Sequence, residues 1–157
     1  MTQNESSTAT SLFGPDHQRC DALWVAVEAA AGAGEPDHTL SAWEAFDAAM
    51  ARHFLMEEEV LFPALDDATG MHGRGPVVVM LHEHSQMRAL LVEMAASAKA
   101  GRFQALLDQG DTLMLVIQQH NAKEENVLYP MADTVLRRDW PTLAAKLNGY
   151  REVGANR

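Results

Sequence analysis

A chain of 157 residues, 47% of them hydrophobic, is the size of one domain and carries enough apolar side chain for a core, which excludes a disordered protein. Twenty-two acidic against twelve basic residues give a net charge of −10 and a pI near 5.0, the wrong sign for a nucleic-acid or anionic-membrane partner. One cysteine forms no internal disulfide, no run approaches the roughly 18 apolar residues of a membrane span, and the N-terminal stretch lacks the basic start and apolar run of a signal peptide, so a soluble protein of the reducing cytoplasm is expected.

Glycine and proline divide the chain. Residues 1–11 read as a flexible polar tail. A first helix is expected from about Pro15, placed as an N1 proline, to the alanine-rich run before Gly32-Ala33-Gly34-Glu35-Pro36. A second follows Asp37 as N-cap and runs to about Asp67, with Pro63 near its end; residues 69–75 form a loop. The third follows Pro76 and stops near Gly101. The fourth spans about Phe103 to Arg138, with Gly110 and Asp111 as a candidate interruption. Residues 139–157 give a short C-terminal helix ending near Asn148-Gly149, which either caps the end of the fold or mediates dimerisation. No stretch alternates with period two, so the fold class is all-α: an up-down-up-down four-helix bundle over residues 12–138.

Helical periodicity then sorts the seven histidines. On the second helix the apolar stripe Leu40, Trp43, Phe46, Met50 continues into His53, Glu57, Val60 and Leu61. The third reads Val77, Met80, Leu81, His84, Met87, Leu91, Met94, and the fourth Leu113, Val116, Ile117, His120, Glu124, Val127, Met131. In the first, His17 shares a face with Cys20, Trp24 and Val27. His38 and His72 fall in loops and His82 points away from His84, so solvent is expected around all three. Counting residues from each connection at 1.5 Å rise puts His17, His53, Glu57, His84, His120 and Glu124 at one level. No Lys or Arg lies on the stripes there, and two buried carboxylates without a cation are costly to desolvate, so a bound metal is expected.

An internal repeat leads to the same place. Residues 53–65 match residues 120–132 at a constant offset of 67, each copy carrying His and Glu four apart and a proline six residues after the Glu. Such a repeat implies pseudo-twofold symmetry about a central site and suits two metals bridged by the glutamates. Imidazole and carboxylate without thiolate favour iron, with manganese or zinc as alternatives. Four imidazoles, two bridging carboxylates and a solvent-derived oxo or hydroxo bridge leave about two of twelve octahedral positions open for a small molecule. Ferritin-like sites need Glu-x-x-His pairs on helices; the one such spacing here, Glu35 to His38, lies in a proline-containing loop.

These residues resemble the hemerythrin family, specifically bacterial hemerythrin-like domains of the HHE cation-binding type. The resemblance covers about residues 12–138 and rests on Asp16-His17, the two His-x-x-x-Glu-Glu-x-Val-Leu-aromatic-Pro copies, and Glu83-His84 followed by Arg88. It implies His17, His53, His84 and His120 as terminal ligands and Glu57 and Glu124 as bridges of an oxo- or hydroxo-bridged non-haem centre of two iron ions. It implies a small-molecule partner, dioxygen or a related oxidant, bound or sensed. Oxygen carriers of the family have a His-x-x-x-His pair on the third helix; Met80 stands four residues before His84, which points to sensing or oxidant reaction rather than reversible carriage. A diiron oxidase or peroxidase and a metal-stabilised partner-binding module, as a homodimer or with a separate signalling partner, are the alternatives. Glu58, Glu59 and Glu125 read as a solvated or supporting face, with Glu125 the substitute bridge, and His82 joins the set only if its helix is distorted.

Overall fold

The computed structural model describes residues 8–155, with side-chain surroundings to residue 151; residues 1–7 of the expected tail lie outside the described residues. All regular structure among them is helical: α1 (Ala9–Gly32), α2 (Pro36–Met56), α3 (Phe62–Thr69), α4 (Pro76–Lys99), α5 (Phe103–Lys123), α6 (Tyr129–Val135) and α7 (Trp140–Ala155). One π-helical turn, Glu57–Leu61, joins α2 to α3 without a break, and another, Glu124–Leu128, joins α5 to α6.

α1 starts six residues before Pro15, correcting the expected boundary. Thr8 caps it reciprocally with Ser11, and Thr10 ties the first turn to Asp133 of α6 through its backbone N–H and hydroxyl. Leu12 and Phe13 are buried. This anchorage outweighs the hydrogen bond that Pro15 withholds from Ser11, both residues lying on an exposed face. α2 is capped by Glu35 with Pro36 at its first position, two residues ahead of the expected Asp37. Gly110 does not interrupt α5, and the terminal helix runs past Asn148-Gly149.

The connections α1–α2 and α4–α5 are built alike, again 67 residues apart. Gly34 (φ +70°) and Gly101 (φ +72°) take the left-handed conformation after caps at Ala33 and Ala100. Glu35 N–H donates to Ala30 O and Arg102 N–H to Ser97 O, the six-to-one bond of a Schellman ending. α1 packs on α2 and α4 on α5, and the pairs meet through α2 with α4 and α1 with α5 and α6.

Two apolar clusters result. One holds Phe13, Met56, Leu61, Phe62, Val77, Met80 and Tyr129 and is closed at its end by Trp140, Ala144 and Leu147 of α7, so this helix caps the fold. The other holds Trp24, Trp43, Phe46, Met50, Phe54, Met87, Leu106 and Ile117. Along each of the four long stretches the chain passes from one cluster to the other through a short polar interval, at residues 16–17, 53–57, 84 and 120–124.

Candidate metal centre

In that interval His17, His53, Glu57, His84, His120 and Glu124 are all buried, the two glutamates and His84 completely. Each helix spends its apolar stripe on the two clusters and interrupts it once, which is why six polar side chains converge. Ligand-capable atoms of Glu57, His84, His120 and Glu124 lie within 4.8 Å of one another, and those of His17, His53 and Glu124 do likewise. Glu124 belongs to both groups. Glu57 Oε1 stands between them too, 2.8 Å from His53 Nε2 and 3.5 Å from His84 Nε2.

Behind each imidazole stands a carboxylate. Nδ1 of His17 meets Glu125 at 3.0 Å, that of His53 meets Asp16 at 2.7 Å, that of His84 meets Glu58 at 2.8 Å and that of His120 meets Glu83 at 3.0 Å. A carboxylate only accepts, so these bonds put the proton on Nδ1 and turn the Nε2 lone pairs inward. His17 Nε2 and His53 Nε2 then face each other at 3.1 Å, and His17 Nε2 and His120 Nε2 each lie 3.1 Å from Glu124 Oε1. Acceptors face acceptors. Nε2 of His84 and His120, Oε1 of Glu57 and Oε2 of Glu124 have no hydrogen-bond partner. Buried groups with unmade bonds are expensive, and a cation converts these lone pairs into ligands; the residues fit a metal.

The electrostatics agree. Burial, then the nearby charge of Glu124, pushes the Glu57 carboxyl well above the usual carboxylate range. For Glu124 burial acts upward, but Glu57, His120 and His17 outweigh it and the net displacement is downward. The two carboxyls are thus displaced in opposite directions, as two carboxyls sharing one site are. Burial, aided by His120, lowers His84 to about 4, which keeps its imidazole neutral and able to ligate. Glu58 is gripped by both guanidinium nitrogens of Arg88 at 2.6 and 2.8 Å, Glu83 by Lys123, and Asp16 by Arg19 at 2.9 Å, so three of the four supporting carboxylates are themselves held.

The six expected residues thus come together, and His38, His72 and His82 are exposed and apart from them. Glu125 is half exposed and faces the outer nitrogen of His17, at 3.0 Å from Nδ1. Sequence reasoning missed the pairing of Asp16 with His53 and of Glu83 with His120, and missed Tyr129. The signal was present: Asp16-His17 and Glu83-His84, like Glu58 and Glu125, stand 67 residues apart, so the repeat extends over the whole centre. The buried Tyr129 hydroxyl reaches His17 Nε2 and Glu124 Oε1 at 3.1 Å and Glu57 Oε2 at 3.3 Å. Burial and the two carboxylates push that phenol well above its ordinary range. Tyr129 is five residues past Glu124; on an α-helix it would lie about 140° away. The π turn, in which Tyr129 N–H donates to Glu124 O, brings it back over the glutamate. The same change of phase exposes Val127, expected inside, and buries Leu128.

Beside the centre, toward the second cluster, a small cavity is lined by His17, His53 and His120 and by Cys20, Met50, Phe54, Met87 and Ile117. Its walls are mainly apolar and its size suits a molecule as small as water.

A family model described as the hemerythrin HHE cation-binding domain matches residues 8–132. Among curated proteins, the iron-sulfur cluster repair protein YtfE of Escherichia coli O1:K1, of E. coli strain SMS-3-5 and of Escherichia fergusonii is 26% identical over 91 residues in each case. Each alignment covers 53% of this chain and 41% of the relative, so the chain spans less than half the length of these proteins. No solved structure matches. No helix among the described residues is long and apolar enough to cross a membrane. With the family match over most of its length and the carboxylate-backed imidazoles in place, the chain belongs to the hemerythrin HHE cation-binding family.

Proposed function

We propose that this protein is an up-down-up-down four-helix bundle holding a non-haem diiron centre, and that it binds or senses dioxygen or a related small oxidant in the cytoplasm. The observation that carries the reading is the pair of donor groups, His17 with His53 and His84 with His120, joined by Glu57 and Glu124 with no protein cation among them. In this assignment the four imidazoles are terminal ligands and the glutamates bridge. Two irons held by these residues would supply coordination positions and electrons for a small oxidant.

The chain's own contributions are orientation and exclusion. Asp16, Glu58, Glu83 and Glu125 fix the imidazole planes and raise their basicity as donors. The two clusters keep bulk water away, and the adjoining cavity admits a small, uncharged molecule in preference to an ionic one. The cavity has no room for an organic substrate, which favours binding or sensing over an oxidase with a dedicated substrate.

The test is iron content together with an absorption spectrum of the oxidised, reduced and air-re-exposed protein. Two irons per chain, with near-ultraviolet bands that bleach on reduction and return in air, support the reading; a folded chain that refuses added Fe(II) defeats it. A second reading follows the printed name of the relatives: iron held here is released for repair of an iron-sulfur protein. Transfer of iron from this chain to a cluster-depleted acceptor, faster than from free chelate, would favour that reading.

A further inference from the structure

We propose that the hydroxyl oxygen of Tyr129 is itself a ligand, bound to the ion held by His17 and His53, so that the two positions of the centre differ chemically. The proposal rests on the diiron reading above.

Tyr129 is completely buried, and the polar contacts of its hydroxyl all go to donor atoms of the centre: His17 Nε2, Glu124 Oε1 and Glu57 Oε2, at 3.1, 3.1 and 3.3 Å. One hydroxyl proton serves one acceptor. The other contacts place phenol lone pairs against nitrogen and oxygen lone pairs, the same conflict that marks the imidazoles. The spacing is that of a coordination shell. With metal–nitrogen and metal–oxygen bonds of about 2.1 Å, ligands at right angles lie about 3.0 Å apart. His17 Nε2 is 3.1 Å from each of His53 Nε2, Glu124 Oε1 and the Tyr129 oxygen.

The repeat supplies an internal control. Phe62 stands 67 residues before Tyr129. Its ring lies 5.5 Å from His84 at 34°, and the Tyr129 ring lies 5.6 Å from His17 at 31°. Packing at this place is thus satisfied by phenylalanine, and the hydroxyl is an addition on one side of the centre. Phe62, beside His84, brings no donor atom, so an ion held by His84 and His120 would have one ligand fewer from this chain. On ligation the phenol proton passes to solvent as the iron–oxygen bond forms, and the iron keeps its oxidation state.

The chain has two tyrosines, which makes the test clean. Wild type, Tyr129→Phe and Tyr150→Phe are loaded with ferric iron, and iron content, far-ultraviolet circular dichroism and resonance Raman spectra are recorded. The expected result is a visible phenolate-to-iron charge-transfer band with enhanced phenolate ring modes in wild type and Tyr150→Phe. In Tyr129→Phe the band should be lost from the iron that remains bound, its intensity being taken per iron. Iron-loaded wild type without these features, or their survival in Tyr129→Phe, overturns the proposal and leaves the diiron reading standing. Failure of wild type to take up iron removes both. The wild-type spectrum decides against the proposal even if the variant fails to fold.

Discussion

Asp16 Oδ2 lies 2.7 Å from His53 Nδ1, with both side chains buried, so the residue next to one candidate ligand in α1 steers another in α2. Sixty-seven residues later Glu83, next to His84, does the same for His120 at 3.0 Å. Each imidazole is thereby braced from a neighbouring helix, which fixes ring orientation more firmly than packing alone. Asp16→Asn keeps the shape but removes the charge that raises the basicity of His53. Losing such a partner typically weakens metal binding about 10–100-fold. Chelator competition at neutral pH should show that loss with helical content unchanged; equal affinity of wild type and variant would deny Asp16 this part.

The same residue sets a pH dependence. Burial acts to raise Asp16, but the hydrogen bond and charge of His53 and the charge of Arg19 prevail, so its folded value lies below the ordinary one. A carboxylate depressed in this way stabilises the fold fully above its unfolded value of about 3.9, and the contribution disappears as pH falls through the folded value. In metal-free protein the urea midpoints of wild type and Asp16→Asn should therefore stand apart at pH 6 and converge as the medium is acidified below about 3.9. A gap that widens with acid would mean that the sign is wrong.

Removal of individual histidines separates ligands from bystanders. His53→Ala, His84→Ala and Glu124→Ala should each lower iron content, because their inward atoms belong to the donor groups. His38→Ala, His72→Ala and His82→Ala should leave it unchanged: His38 pairs with Glu35 and His72 with Asp67, and all three are exposed. Equal iron loss from His82→Ala and His84→Ala would contradict the placement of the two on different faces of α4.

How far the centre could be read beforehand follows from the same geometry. His53 and Glu57, four apart at the end of α2, and His120 and Glu124, four apart at the end of α5, stay in helical phase, so periodicity finds them. Asp16 and Glu83 sit one residue off the stripe and matter through partners 37 residues away, a relation that one helix's pattern does not contain. Val127, expected on the inner face, is exposed because the bond from Tyr129 N–H to Glu124 O resets the register where an α-helical period was assumed. The proline that follows each π turn, Pro63 or Pro130, withholds one backbone donor just there and is the sequence trace of the reset. Pro15 misled in the opposite sense, because the tertiary anchor through Thr10 and Asp133 lay outside any local signal.

Gly110 has a structural reason of a different kind. A Cβ built there would stand 1.9 Å from Cζ2 of Trp24, well inside any real contact, so α5 approaches α1 at this point only because the residue has no side chain. In helix propensity alone Gly110→Ala would gain about 0.8–1.0 kcal/mol. Overpacking typically costs about 1–3 kcal/mol, and the indole ring is held among Phe46 and the other residues of the second cluster. The clash should win. Urea unfolding of metal-free Gly110→Ala should show a net loss of up to about 2 kcal/mol relative to wild type. Trp24→Leu by itself should also destabilise, through the cavity it leaves. In the double variant the methyl group occupies part of that cavity, so the two losses should fall short of their sum by an interaction energy of about 1 kcal/mol or more. Strict additivity would mean that the approach of α5 to Trp24 is looser than the 1.9 Å contact requires.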